Sequence, residues 1–112
     1  MWVETQKKTF TKWTNNHLRK KGYAPIENAQ MDFENGIKLM EIVAALYGLP
    51  IPKYNANPKQ RPHKLDNLVL ALKMVEDAKI KTNFLKSTHL IDHDLKMILG
   101  MLWFGFKNYS DS

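Results

Sequence analysis

Within six residues, His89, Asp92, His93 and Asp94 gather the side-chain types that bind divalent metals. A last helix starting at Asp94 would make them straddle a loop and a helix N-terminus, where Asp serves as a cap and favours the helix dipole. The histidines then do not pair on one helix, and no second carboxylate-rich segment completes a ligand set. The expectation is a capped turn and no metal site. His63 is a second candidate, a base that Asp66 could orient from one turn later. No nucleophile accompanies it: the sequence has no cysteine, no Gly-x-Ser-x-Gly turn and no phosphate-binding glycine loop. A structural His at a helix start is the expectation, with no cofactor and no enzyme. Trp13 and Trp103 fall in apolar stripes and read as core, whereas Trp2, ahead of the first helix, is available for a contact.

Helices must position these residues, because β alternation is found nowhere. The first is expected from about Val3 to Lys21, stopped by Gly22 and then Pro25. Its polar face carries Lys8, Lys12, Asn15 and Arg19, with Val3, Phe10, Trp13 and Leu18 opposite. A turn at Asp32-Phe33-Glu34-Asn35-Gly36 leads into a second helix, Ile37 to Tyr47, closed by Gly48. Leu39, Met40, Ile42, Val43 and Leu46 cover most of its circumference and make it central. Between Leu49 and Pro62 stand four prolines with Lys53, Lys59 and Arg61, a long, basic, semi-rigid connection. The third helix, about His63 to Lys79, places Leu65, Leu68, Val69, Leu72 and Val75 on one face. Lys81 to His93 is short and mixed. The last helix runs to about Tyr109, with Leu95, Ile98, Leu99, Leu102, Trp103 and Phe106 in one stripe. Met97, Met101 and Phe104 add apolar surface on its other side, so it is buried on two sides or meets a partner. The expected fold is one all-α domain, residues 1–112, in which helices two, three and four bury one another and the first packs across them.

Composition limits the function further. At 112 residues, 44% hydrophobic and 25% charged, the chain suits one soluble domain with a real core. No apolar run reaches the roughly 18 residues of a membrane span, and Met1-Trp2-Val3-Glu4 lacks a signal-peptide layout, so a cytoplasmic location is expected. The formal charge of +6 is uneven: six basic residues (Lys7, Lys8, Lys12, Arg19, Lys20, Lys21) precede Gly22 against only Glu4. An acidic partner surface follows from that. Nucleic acid is disfavoured, since the loops are too long for a helix-turn-helix and the aromatics lie in core stripes instead of a stacking platform. A weak contact with anionic lipid is a secondary consequence of the charge.

Four motifs, in order, resemble one known family. Gln6-Lys7-Lys8-Thr9-Phe10-Thr11-Lys12-Trp13 with His17-Leu18 resembles the opening helix of calponin-homology domains, of the type that comes first in the actin-binding regions of α-actinin, spectrin and filamin. Asp32-Phe33-Glu34-Asn35-Gly36-Ile37-Lys38-Leu39 is similar to the family's entry into its second main helix, and Leu65-Asp66-Asn67-Leu68-Val69-Leu70-Ala71-Leu72 to its third. Leu90-Ile91-Asp92 followed by Leu95-Lys96-Met97-Ile98-Leu99-Gly100-Met101-Leu102-Trp103 resembles its signature. The Pro-rich basic loop and the Leu-Lys-Met-Ile-Leu-Gly string most resemble filamin. The family usually has Gly and Asn where His93 and Asp94 stand, and Asp where Asn35 is. The resemblance implies four main helices plus short connecting helices, no catalysis, and F-actin binding in the cytoplasmic cytoskeleton, with a second such domain able to follow in the parent protein. A regulatory or scaffold domain of the same fold, binding signalling proteins, is the alternative. The expected contacts are Lys7, Lys8 and Lys12 on the first helix, Lys53, Lys59 and Arg61 in the loop, and Lys86, Lys96, Met97 and Met101 in and before the last helix.

Overall fold

The computed structural model describes residues 2–80 and 84–102, with side chains from Glu4 onward. Its helices are α1 (Trp2–Lys20), α2 (Ile37–Tyr47), α3 (Arg61–Asp77), α4 (Ser87–Ile91) and α5 (Leu95–Gly100). The expectations for the side chains of Trp2 and Val3, and for Trp103, Phe104 and Phe106, lie outside the described residues.

The most apolar helix takes the centre. Leu39, Met40, Ile42, Val43, Ala45 and Leu46 of α2 are all buried, and α2 packs against both α1 and α3. Its bounds are those expected, because both ends are set by glycines in the left-handed region: Gly36 at φ 80° and Gly48 at φ 68°. Gly36 is needed for space as well. A Cβ there would lie 2.7 Å from the backbone carbon of Asn67, so the start of α2 rests directly on the backbone of α3.

Helix α3 begins at Arg61, earlier than expected, because Pro62 falls in the first turn, where a missing N–H costs no bond. Its inner face is Asn67, Leu68, Ala71, Met74 and Val75. Val69 is a correction: it is 60% exposed. One residue past Leu68, it is rotated about 100° off the buried line, and the smaller Ala71 and the flexible Met74 fill the face instead.

Helix α5 is enclosed on two sides. Ile98 and Met101 are fully buried, Leu102 nearly so, while Leu95, Met97 and Leu99 are half-buried and the chain turns at Met101 and Leu102 with π-type spacing. The short α4, in the segment read as mixed, connects α3 to α5 and packs against both.

Three helices end in the same arrangement, a Schellman motif closed by a residue in the left-handed region. After α1 it is Gly22 (φ 81°), with Tyr23 N–H on the Leu18 carbonyl and Gly22 N–H on that of Arg19. After α3 the position is taken by Lys79 (φ 60°), and after α4 by His93 (φ 59°). Their N–H groups donate to Glu76 and Leu90, and those of Ile80 and Asp94 to Val75 and His89. A Cβ is disfavoured there, which is why sequence patterns place glycine at such a position and give no signal at Lys79 or His93.

Two buried asparagines fasten the loops. Asn67 Nδ2 donates to the Asn55 carbonyl at 2.8 Å and its Oδ1 accepts from Asn55 N–H at 3.1 Å. Asn15 does the same for Ile26, at 3.0 Å and 2.6 Å. Each amide therefore satisfies both polar groups of one loop residue and lets that loop lie against a helix without leaving a bond unmade. Asn15, expected on the solvent face, is 7% exposed for this reason.

Candidate functional site

The four residues that suggested a metal site, His89, Asp92, His93 and Asp94, all have structural partners. Asp94 caps α5, its Oδ1 accepting from Met97 N–H at 3.2 Å. Asp92 closes α4 and pairs with Arg61, Nη1 to Oδ1 at 2.9 Å. His89 Nδ1 accepts from Lys86 N–H at 3.0 Å, capping the start of α4, and His93 Nε2 lies 3.2 Å from Glu34 Oε1. Among the described residues no group of three His, Cys, Asp or Glu side chains could hold a metal. His63 and Asp66 are both exposed on the first turns of α3.

The basic residues are distributed over separate elements. On α1, Lys8 and Lys12 are exposed and Lys7 is half-buried, because the apolar Phe10 and Leu18 turn the opposite face inward. They line a shallow groove of about 410 Å³ with Glu4, Thr11, Arg19 and Glu27. Four cations there outnumber two carboxylates, so the groove favours an anionic surface. Trp13 and His17, on the other side of the helix, meet edge to face with ring centroids 4.7 Å apart. Burial, then the charge of Lys20, lowers the affinity of His17 for its proton.

Lys53 and Lys59 are exposed on the Pro-rich connection. Ile51 and Tyr54 pack on the core and Asn67 holds Asn55, so a segment without helix still presents its lysines from a fixed frame. Arg61, grouped with them in the sequence, is committed to Asp92. That pair ties the end of the connection to α4 and brings the loop beside the turn between α4 and α5. Lys86 at the start of α4 and Lys96 on α5 are exposed.

The methionines divide. Met97 is half-buried against the core, whereas Met101 is 0% exposed. Met101 is therefore corrected from contact residue to core residue: both sides of α5 are covered, and a flexible thioether fills the space.

Sequence reasoning missed Glu34. Lys64 Nζ donates to its Oε2 at 2.5 Å while His93 faces its Oε1, joining positions 30 and 59 residues apart, a separation with no local pattern. The bond from Lys64 is the largest influence holding Glu34 below the usual carboxylate range, with His93 adding to it and burial opposing. No helix of the described residues is long and apolar enough to cross a membrane.

Residues 4–111 match the profile of the Calponin homology (CH) domain. The chain is similar to alpha-actinin A of Dictyostelium discoideum, 44% identical over 102 residues that make up 91% of this chain and 12% of that protein. With filamin-A of Drosophila melanogaster it shares 37% identity over 111 residues, 99% of this chain and 5% of the relative. With human alpha-actinin-3 the figures are 40% over 102 residues, 91% and 11%. The filamin match reaches further along the chain and the α-actinin matches are higher in identity. The chain thus spans 12% or less of the length of these relatives.

Proposed function

Since the chain belongs to the calponin-homology family, whose domains are non-catalytic binding modules, we propose that it attaches a cytoskeletal cross-linking protein in the cytoplasm to F-actin. The observation that carries this reading is the similarity to α-actinins and filamin over 91% to 99% of the chain. Exposed cations add to it: an acidic filament is attracted to Lys8 and Lys12, with Lys7 beside them, and to Lys53, Lys59, Lys86 and Lys96. Met97 is the apolar contact that remains available on α5. Arg61 serves the surface chiefly by its bond to Asp92. A second domain of the same kind following in the parent protein, and a weak anionic-lipid contact, belong to the same proposal.

Co-sedimentation with F-actin across a salt series tests it. Saturable pelleting that weakens with salt is expected, because screening reduces attraction between exposed charges. Lys8→Glu with Lys12→Glu should weaken pelleting and leave stability within about 1 kcal/mol, as those side chains are solvated. Absence of saturable pelleting at low salt would favour the alternative, a scaffold domain that binds signalling proteins.

A further inference from the structure

Among the described residues three large apolar side chains are exposed: Met31, Val69 and Phe84. Their surroundings differ in charge. Met31 stands in the turn that carries Asp32 and Glu34. On α3, Val69 has Asp66 one turn before it and Lys73 one turn after it, and Lys73 is already paired with Asp77 at 3.8 Å. Phe84 adjoins Lys86 and Lys96, both exposed and, among the described residues, without an ion pair. An acidic partner is drawn to the third of these places and not to the other two.

The position of Phe84 follows from its neighbours. Leu85 is 7% exposed and anchors the segment in the core, which leaves the preceding side chain, 38% exposed, to lie along the surface. There the ring rests on α5. A Cβ at Gly100 would stand 3.5 Å and 3.6 Å from Phe84 Cε2 and Cζ, so the glycine offers the ring a flat stretch of helix. Lys96 and Met97, four and three residues before Gly100, share that face of α5 one turn away. The ring, the outer edge of Met97 and the two lysines therefore form one patch, apolar in the middle and basic at its rim. The nearby carboxylates are engaged elsewhere: Asp94 with the Met97 N–H that it caps, Asp92 with Arg61. An apolar centre within a charged rim is the composition of a protein contact.

We propose that Phe84 is an apolar anchor of the filament interface: its ring, backed by Gly100 and Met97, enters an apolar recess on F-actin while Lys86 and Lys96 meet acidic groups around it. This deepens the filament-binding reading above and rests on it. An aromatic ring gives a large contact area for little lost rotamer freedom, and its seat on Gly100 holds it in place before binding, which lowers the cost of ordering it. The lysines govern attraction and its salt dependence. Phe84 supplies the part of the affinity that salt does not screen.

The test compares F-actin co-sedimentation of the 112-residue chain with that of four variants over a salt series. Phe84→Ser should weaken affinity about tenfold, the scale of a central interface contact, and by the same factor at every salt concentration. Phe84→Leu, which stays apolar, should keep most of the affinity. Val69→Ser, which removes an exposed apolar group elsewhere, should keep all of it, and Lys96→Glu should lower the salt dependence. A readout on the unaltered chain needs no variant to fold: NMR cross-saturation transferred from filaments should reach the Met97 methyl and the amides of Phe84 and Lys86, and spare the Val69 methyls. Equal pelleting of Phe84→Ser and the parent chain, or cross-saturation that misses Phe84, overturns the anchor and leaves the filament reading standing. A parent chain without saturable pelleting at low salt overturns both. If Phe84→Ser abolishes a self-association seen by sedimentation velocity and leaves filament affinity unchanged, the patch belongs to a second copy of the chain and the proposal fails.

Discussion

Met97 and Met101 stand one turn apart on α5 and have different roles. Met101 is fully buried, so Met101→Gln places an amide in an apolar site and should cost about 2 to 4 kcal/mol in urea denaturation. Met97 is half-buried, and Met97→Gln should cost under about 1 kcal/mol while weakening filament pelleting, if its outer edge is a contact. The left-handed positions give an opposing pair. Lys79→Gly removes the Cβ penalty at φ 60° and should raise stability by about 0.5 kcal/mol, after the added freedom of the unfolded chain is counted. Gly36→Ala should lower it by at least about 2 kcal/mol, since the new Cβ meets the Asn67 backbone at 2.7 Å and φ is also positive.

At the scale of elements, the helices are ordinary amphipathic pieces and the loops are what needs holding. Asn67→Ala would leave the N–H and carbonyl of Asn55 without their partners, at a cost of about 2 to 3 kcal/mol. Hydrogen exchange should then quicken in the connection from Lys53 to Asn57, and Lys53 and Lys59 would lose their fixed placement. Asn15→Ala should do the same to the segment around Ile26, on the border of the α1 groove. If exchange in those loops stays slow, the asparagines are not what hold them, and the apolar anchors Ile26, Ile51 and Tyr54 suffice. The electrostatic links have the same logic at lower energy. Arg61 and Asp92 are each more than half exposed, so that pair on its own contributes little to stability and matters for orientation.

For the whole molecule, acidification lowers stability through two groups in two pH ranges. In the fold, burial and Lys20 hold His17 below its ordinary 6.5. The unfolded chain therefore binds that proton more readily, and stability is lost as pH falls through about 6.5 towards the folded value. Glu34 is shifted down from 4.5 by Lys64 and His93, so its contribution is present above that value and disappears on further acidification. Urea midpoints measured from neutral pH downwards should decline in an upper and a lower step. His17→Gln should remove the upper one and Glu34→Gln the lower one. A single step untouched by either variant would place the acid sensitivity elsewhere.

Local sequence was enough for the all-α class, the bounds and centrality of α2, the stop at Gly22, a cap at Asp92 or Asp94 that the structure assigns to Asp94, and the exposure of Lys8, Lys12, Lys53, Lys59, Lys86 and Lys96, though not of the half-buried Lys7. Each of these follows from local chemistry: helical periodicity, glycine where φ must be positive, Asp at a helix start. Tertiary structure decided which apolar residues are inside. Val69 and Met101 exchanged roles relative to their pattern, because periodicity gives an angle on a helix and burial depends on which neighbours cover that angle. It also decided which polar residues are engaged. Asn15 and Asn67 look like surface residues, and Glu34, Lys64 and His93 like unrelated charges, until the loops close over the helices. Pairs 30 and 59 residues apart have no spacing to be read, since only the fold brings them within hydrogen-bond distance.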